Sequence, residues 1–522
     1  MDQYLLALDG GTGSFRTILF DLEGNQIEIS QQEWEHKSEI NVPNSMNFDY
    51  EINWIIVKNC IKDLLSKSKI DPSTILAVSS SSMREGIVLY DENNQEIWAV
   101  ANVDARAGNE VSYLKETYPG IEEKFYERSG QTFALGSIPR IMWLKNNKPD
   151  LYKKIAKISM ISDWLLFKLS GIIAIDPSNG GTSGIFDLKK RDWAKEMMKQ
   201  VGLKNDIFPP CCEAGTVIGS INQNASNETG LSTNTKVVLG GGDVQLGSLG
   251  LGITHNGGVA ILGGSFWQQI VNIPKETKPP LNMNIRVNPH VIQNFSQAEG
   301  ITFFSGLIMR WFRDAFCELE KLQSKKTNID TYTILEEKAK DVPIGSYDII
   351  PIFSDSMKYG NWYHASPSFL NLSIDPAICN KASMFRSLEE NACIVSNINL
   401  QKIKDFSGIQ INEIVFAGGA SKGSLWCQIL SDVTNCTIKI PKITEVTSLG
   451  VAICAGVGAG VYKSLEDGAQ KLVSFEKSYY PNQENHKIYK EIERKWSAIY
   501  EEQLKLVDQG LTTSMWKAPG VK

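Results

Sequence analysis

Histidine is scarce in this 522-residue sequence, five residues in all, and its nine cysteines are scattered. No two cysteines stand in C-x-x-C spacing, their number is odd, and a chain this long needs no covalent staples, so a reduced compartment is expected. Without a His/Cys group at ligand spacing, a zinc site is disfavoured. Polybasic runs are missing too: acids and bases are interspersed for a formal charge of −6 and a pI near 5.6, so no nucleic-acid partner is expected. No apolar run approaches the ~20 residues that cross a bilayer. The richest one, Val451 to Tyr462, is short and full of glycine and alanine. The start, MDQYLLALDGG, has no basic region and carries Asp2 and Asp9, unlike a signal peptide. These absences predict a cytoplasmic protein without membrane insertion. The G-x-x-x-x-G-K-[ST] phosphate loop is absent as well.

What the chain has is glycine at the ends of apolar runs. Tyr4–Leu8 and Arg16–Phe20 read as strands, with a turn at Leu22–Asn25 before Gln26–Ser30 continues, which predicts an antiparallel meander. Asp49–Ser68 has helical periodicity, Ile75–Ser79 reads as a buried strand, Ser80–Glu85 as a polar connection, and Ile87–Tyr90 as another strand. Meander, helix, strand is the order of an α/β domain with a mixed sheet. The same order begins again near residue 237, with Val259–Leu262 and Ile414–Phe416 as strands. The length exceeds what one core usually serves, so two related domains are expected, 1–250 and 251–522, the second ending in a packed helical tail.

Four glycine turns follow strands. Asp9–Ser14, DGGTGS, offers backbone amides and hydroxyls that suit phosphate oxygens, with Asp9 placed for Mg²⁺ and Arg16 for phosphate charge; a plain hairpin is the alternative. Gly240–Gly247, GGGDVQLG, sets Asp243 where it can accept a proton from an attacking hydroxyl, or merely cap the next helix. Gly263, Gly264 and Ser265 form a second candidate phosphate clamp, and Gly418, Gly419 and Ala420 a turn open enough for a base or ribose. Phosphoryl transfer calls for such distributed stabilisation rather than a covalent triad. Arg84 and Glu85 in SMREG, and Asp104 in NVDAR, carry the donor and acceptor chemistry that grips adjacent hydroxyls, or a surface ion pair.

DGGTGSFR, SMREG, NVDAR, ISDWLLFKLSG, GGGDVQLG and AGGASKGSLWCQILSDV, in that order, resemble the FGGY family of carbohydrate kinases. The resemblance implies two actin-like (ribonuclease H-like) ATPase domains around a central interdomain cleft, with ATP and Mg²⁺ as cofactors. It makes Asp243 the catalytic base and Asp9, with Asp243, the Mg²⁺-organising acid. Gly11, Thr12, Gly13, Ser14 and Arg16 become the first phosphate loop, and Gly263, Gly264 and Ser265 the second. Gly418, Gly419, Ala420, Lys422 and Gly423 fall at the nucleoside. Met83, Arg84, Glu85, Asp104 and Phe133, with Asp243, fall on the substrate side. SSMREGIVLYD, AILGGSFWQQ, PIFSDSMKYGNWYHASPSF and GLTTSMWKAPG are further similar to the branch of the family that phosphorylates a small hydroxyketone signal, linear 4,5-dihydroxy-2,3-pentanedione, on its terminal C5 hydroxyl. Neither a homodimer contact nor a regulatory protein partner is readable from the residues.

Overall fold

The computed structural model describes residues 2–356 and 363–519; the MKYGNW portion of the long aromatic motif, and Gly520 of the terminal one, lie outside them. The predicted meander forms β1 (Tyr4–Gly10), β2 (Ser14–Asp21) and β3 (Gln26–Glu33), antiparallel throughout. α1 (Tyr50–Ser68) starts where Asp49 accepts the Ile52 amide and buries Trp54, Val57, Ile61 and Leu64. β4 (Ile75–Ser82) returns parallel to β1 and runs three residues beyond its predicted end, because Ser80, Ser81 and Ser82 are all fully buried and continue the pairing. Lys236–Val238 joins β4 in parallel on its other side, and Gly241–Gly242 extends along Ser81 and Ser82.

The second half repeats this order. Val259–Gly263, Trp267–Pro274 and Phe295–Thr302 make an antiparallel meander, and Glu413–Ala417 and Thr437–Pro441 add in parallel beside Val259–Gly263. The 27-residue helix Lys381–Ser407 covers this sheet. The predicted helical tail is Gln483–Asp508, which inserts Tyr489, Trp496, Tyr500 and Leu504 into the second core.

One helix disregards the linear division of the chain. Val446–Ala459 lies on β1 and β4 of the first sheet, packing Leu449, Ala452 and Ile453 with Leu5, Ala7 and Ala77. It crosses the helix Asp243–Gly250 at a glycine contact: a Cβ on Gly450 would run into the Leu246 carbonyl, and one on Gly250 into that of Val446. Neither obstacle is a side chain that can swing away. Gly450→Ala should therefore force the helices apart and lower stability by about 1–3 kcal/mol, read as a drop in the thermal unfolding midpoint.

Candidate active site

β1, β4 and Gly241–Gly242 end at one edge of the first sheet, so three of the sequence motifs meet there. The Met83 amide donates to Gly10 O at 2.8 Å, tying SMREG to DGGTGS. GGGD approaches still closer: Gly240 lies against the Ser80 carbonyl with no room for a Cβ. Asp243 follows as the first residue of its helix, with Gly242 as the N-cap. Among the described residues its own carboxylate accepts only the neighbouring Val244 amide at 2.8 Å, so its reading as the cap of that helix is not met.

The Asp243 side chain is 37% exposed, yet its carboxyl sits deep between the domains. That desolvation raises its pKa to about 6; Arg84 works to lower it, while Glu85 and Asp9 push it further up. Asp9, at the end of β1, is also raised to about 6 by burial, with Arg16 opposing and Glu445 adding to the shift. Two carboxyls poised near neutrality in one cleft are a candidate for proton transfer or cation binding.

Arg16 reaches Asp9 at 3.7 Å and Glu445 at 2.6 Å. Glu445 stands immediately before the Val446–Ala459 helix, so the first glycine hairpin is tied to the second half of the chain. Trp34 clasps the hairpin from below: its indole Nε1 donates to Gly11 O at 2.8 Å and its amide to Gly13 O at 3.3 Å. Gly13 and Thr12 are left exposed at the tip, where Thr12 Oγ1 accepts from Asn102 at 3.0 Å, and Ser14 follows as the half-buried first residue of β2.

Several expected substrate contacts are placed differently. Arg84 is 7% exposed, and its two terminal nitrogens fork onto Glu299 at 2.5 and 2.8 Å, leaving Nε facing Asp243 at 3.5 Å. Glu85, in a left-handed conformation at φ 61°, pairs with Arg286 of the second domain. These two ion pairs cross between the domains at the floor of the cleft. Asp104 is not presented to the cleft: both its oxygens hold Arg106, one takes the Met46 amide, and its side chain is fully buried. Phe133 packs edge-on against Phe125 in the first-domain core, and Met83 is buried beneath the sheet edge, so neither apolar side chain offers a wall to substrate. Burial of these apolar groups outweighs any gain from exposing them.

On the opposite side, Val259–Gly263 and Glu413–Ala417 end together. Gly418 adopts φ 101°, and a Cβ there would stand 2.6 Å from Gly263 O, so the third and fourth glycine turns are packed on one another. Gly264, Ser265, Gly418, Gly419 and Lys422 are exposed, and Ala420 and Gly423 are half-buried. The text from Gly419 to Gly423 also spells G-x-S-x-G, but Ser421 Oγ donates to the Gly418 carbonyl at 2.8 Å and serves the turn. Behind Gly423 stands Glu336, which accepts the Trp426 amide at 3.3 Å and caps the helix Ser424–Thr434 from outside.

Glu299, Arg286, Glu445 and Glu336 carry this site and went unread in the sequence, since each is a charge in an ordinary strand, loop or helix. Among the described residues no group of three or more His, Cys, Asp or Glu is arranged around a metal, and no helix is long and apolar enough to cross a membrane.

Comparison with known proteins decides what these turns belong to. The N-terminal-domain model of the FGGY carbohydrate kinases matches residues 4–250, and the C-terminal-domain model residues 273–459. The chain belongs to the FGGY family of carbohydrate kinases. As an FGGY kinase it takes its phosphoryl group from ATP and has the two-domain actin-like ATPase fold. It is 54% identical over 519 residues to an autoinducer-2 kinase of Salmonella typhimurium, covering 99% of this chain and 98% of that one. It is 53% identical over 520 residues to an autoinducer-2 kinase of Klebsiella pneumoniae, with the same coverage. Its fold superposes on a xylulose kinase from Rhodospirillum rubrum with a TM-score of 0.83 at 19% identity, over 97% of this chain and 99% of that one.

Proposed function

We propose that this FGGY kinase transfers the γ-phosphoryl group of ATP to the C5 hydroxyl of linear (S)-4,5-dihydroxy-2,3-pentanedione, the precursor form of autoinducer-2, in the processing of a quorum-sensing signal in the cytoplasm. The observation that carries the chemistry is the Asp243 carboxyl, open to the cleft, raised to about 6 and faced by Arg84. The choice of substrate is supported by the relatives, which match across 99% of the chain.

In this reading ATP lies along the paired turns Gly263–Ser265 and Gly418–Gly423, with its terminal phosphate toward Gly11–Ser14 and Arg16. Asp243 accepts the C5 hydroxyl proton as that oxygen bonds to the γ-phosphorus, the β–γ bridging P–O bond breaks, and ADP leaves. Asp9 and Asp243 fit Mg²⁺: they converge closely enough for Asp9 to raise Asp243, and they offer carboxylate oxygen alone. Mg²⁺ takes one or two carboxylates and completes its shell with phosphate oxygens and water. Bound there, it would neutralise phosphate charge. Glu85, with its carboxylate 16% exposed, is the residue of SMREG left to accept from a substrate hydroxyl.

The test is ADP release with the dihydroxypentanedione set against xylulose, ribulose and glycerol. Preference for the first is expected, and preference for a pentulose or glycerol would overturn the substrate assignment. A pH profile checks the base. Because a base works only when ionised and Asp243 and Asp9 are both raised to about 6, kcat/KM should fall as pH drops through about 6. An ordinary aspartate would hold that limb near pH 4.

A further inference from the structure

The stretch DPSNGGT, Asp176–Thr182, shows no charge to the cleft, yet Asp176, Ser178, Asn179 and Thr182 are all essentially fully buried. Polar side chains at that depth need partners, and theirs run to the two loops of the first domain that carry Arg84, Glu85 and Asp243. Asp176 accepts the Ser178 amide at 2.7 Å and the Asn179 amide at 3.2 Å, which winds the segment into a short helical turn. It also takes the Ser178 hydroxyl proton. With its proton directed to Asp176, Ser178 Oγ is left to accept, and it takes the Gly242 amide at 3.0 Å. Asn179 Nδ2 donates to Ser82 Oγ at 3.1 Å and to Ser162 Oγ at 2.7 Å. Thr182 Oγ1 donates to the Asn179 carbonyl at 2.7 Å and accepts the Glu85 amide at 3.1 Å.

We propose that this turn is a positioning element for phosphoryl transfer, Ser178 fixing Asp243 through the Gly242 amide and Thr182 fixing Glu85 through its own amide. The inference rests on the reading of Asp243 as the base. Gly242 is the extended N-cap residue immediately before Asp243, at φ −69° and ψ 145°, so the direction of its amide governs where the Asp243 side chain departs. Asp243 has little else to hold it: its carboxylate takes the adjacent amide, and Arg84 stands 3.5 Å away. Gly241 also lies against Ser178 and Asp176 with no room for a Cβ, so the turn and the GGGD loop are in direct contact. The turn thus holds base and substrate-side acid in one frame although they stand in different loops.

The experiment is steady-state kinetics of the full chain with the dihydroxypentanedione and Mg·ATP. A displacement of an ångström at the reacting group costs on the order of 10² in rate, so Ser178→Ala is expected to lower kcat about tenfold or more. Its KM values for both substrates should stay within about twofold, because uniform binding is untouched. Ser178→Cys, whose sulfur accepts only weakly, should fall between serine and alanine. Thr182→Ala should instead raise KM for the hydroxyketone several-fold with a smaller change in kcat. In an Asp243→Asn background Ser178→Ala should change the residual rate less than about twofold, since residues that act as a unit are not additive. Retained Mg·ATP binding by calorimetry identifies the variants that are folded, and Ser178→Cys is the gentler replacement if Ser178→Ala is not. Equal fold-losses from Ser178→Ala with and without Asp243 would overturn the positioning role alone. Near-normal turnover of Asp243→Asn by itself would overturn the reading of the base on which it stands.

Discussion

Asp243→Asn should lower kcat by about 10²–10⁴, the usual worth of a general base, while calorimetric Mg·ATP binding persists on the turns of the second domain. The substitution keeps the shape of the side chain and removes its capacity to take a proton. Its effect on stability separates catalysis from folding. A carboxyl whose pKa is raised to about 6 by desolvation is held in its charged form against the preference of the fold. Relative to an unfolded aspartate near 3.8, whatever it contributes is present at low pH and lost as pH rises through about 6. The neutral variant escapes that loss, so at pH 8 it should unfold no more easily than the parent protein. Activity lost together with stability would mean that Asp243 is structural.

Glu299→Ala is the substitution expected to cost most in stability. Arg84 is 7% exposed and Glu299 0%, and two hydrogen bonds join them across the domains. Removing the carboxylate leaves a guanidinium desolvated without its partner, and breaking a buried pair in this way costs about 3–5 kcal/mol. The measurement is chemical denaturation, with Glu299→Gln, which keeps one acceptor for Arg84, losing less. Burial works to raise the Glu299 pKa, but Arg84 holds the carboxyl below its ordinary range. The contribution of the pair should therefore be intact above pH 4.5 and disappear as pH falls below it. Catalysis should respond as well: an Arg84 released from Glu299 can turn toward Asp243, lower its pKa and move the acid limb of kcat/KM below 6.

Much of this was written locally in the chain. The meander, α1 and the helix Gln483–Asp508 follow from periodicity and caps that a window of a dozen residues contains. Strand ends carrying GG with a hydroxyl or an acid marked all four turns of the cleft, and Asp9 and Asp243 stand where those motifs placed them. The SMREG and NVDAR motifs were harder, because a charged side chain in a connecting segment has the same text whether it faces a ligand or another side chain. Asp104 went to Arg106 and the Met46 amide, Arg84 to Glu299, and Phe133 to the core. One clue was readable at DPSNGG: an acid before proline, followed by small polar residues, is a strong helix-start signal in a segment too short for an ordinary helix.

The sequence by itself determined the family, the number and kind of glycine turns, and the identity of the two acids at their strand ends, because strand periodicity and backbone room are properties of neighbouring residues. Only the tertiary structure decided which charges reach the cleft. Glu299 meets Arg84 across 215 positions, Glu445 meets Arg16 across 429, and the Gly242 amide meets Ser178 across 64. Those pairings exist because two similar sheets end at one cleft and desolvate whatever stands there. A charge so placed must find a partner or shift its pKa, and that is settled by packing distance rather than by distance along the chain.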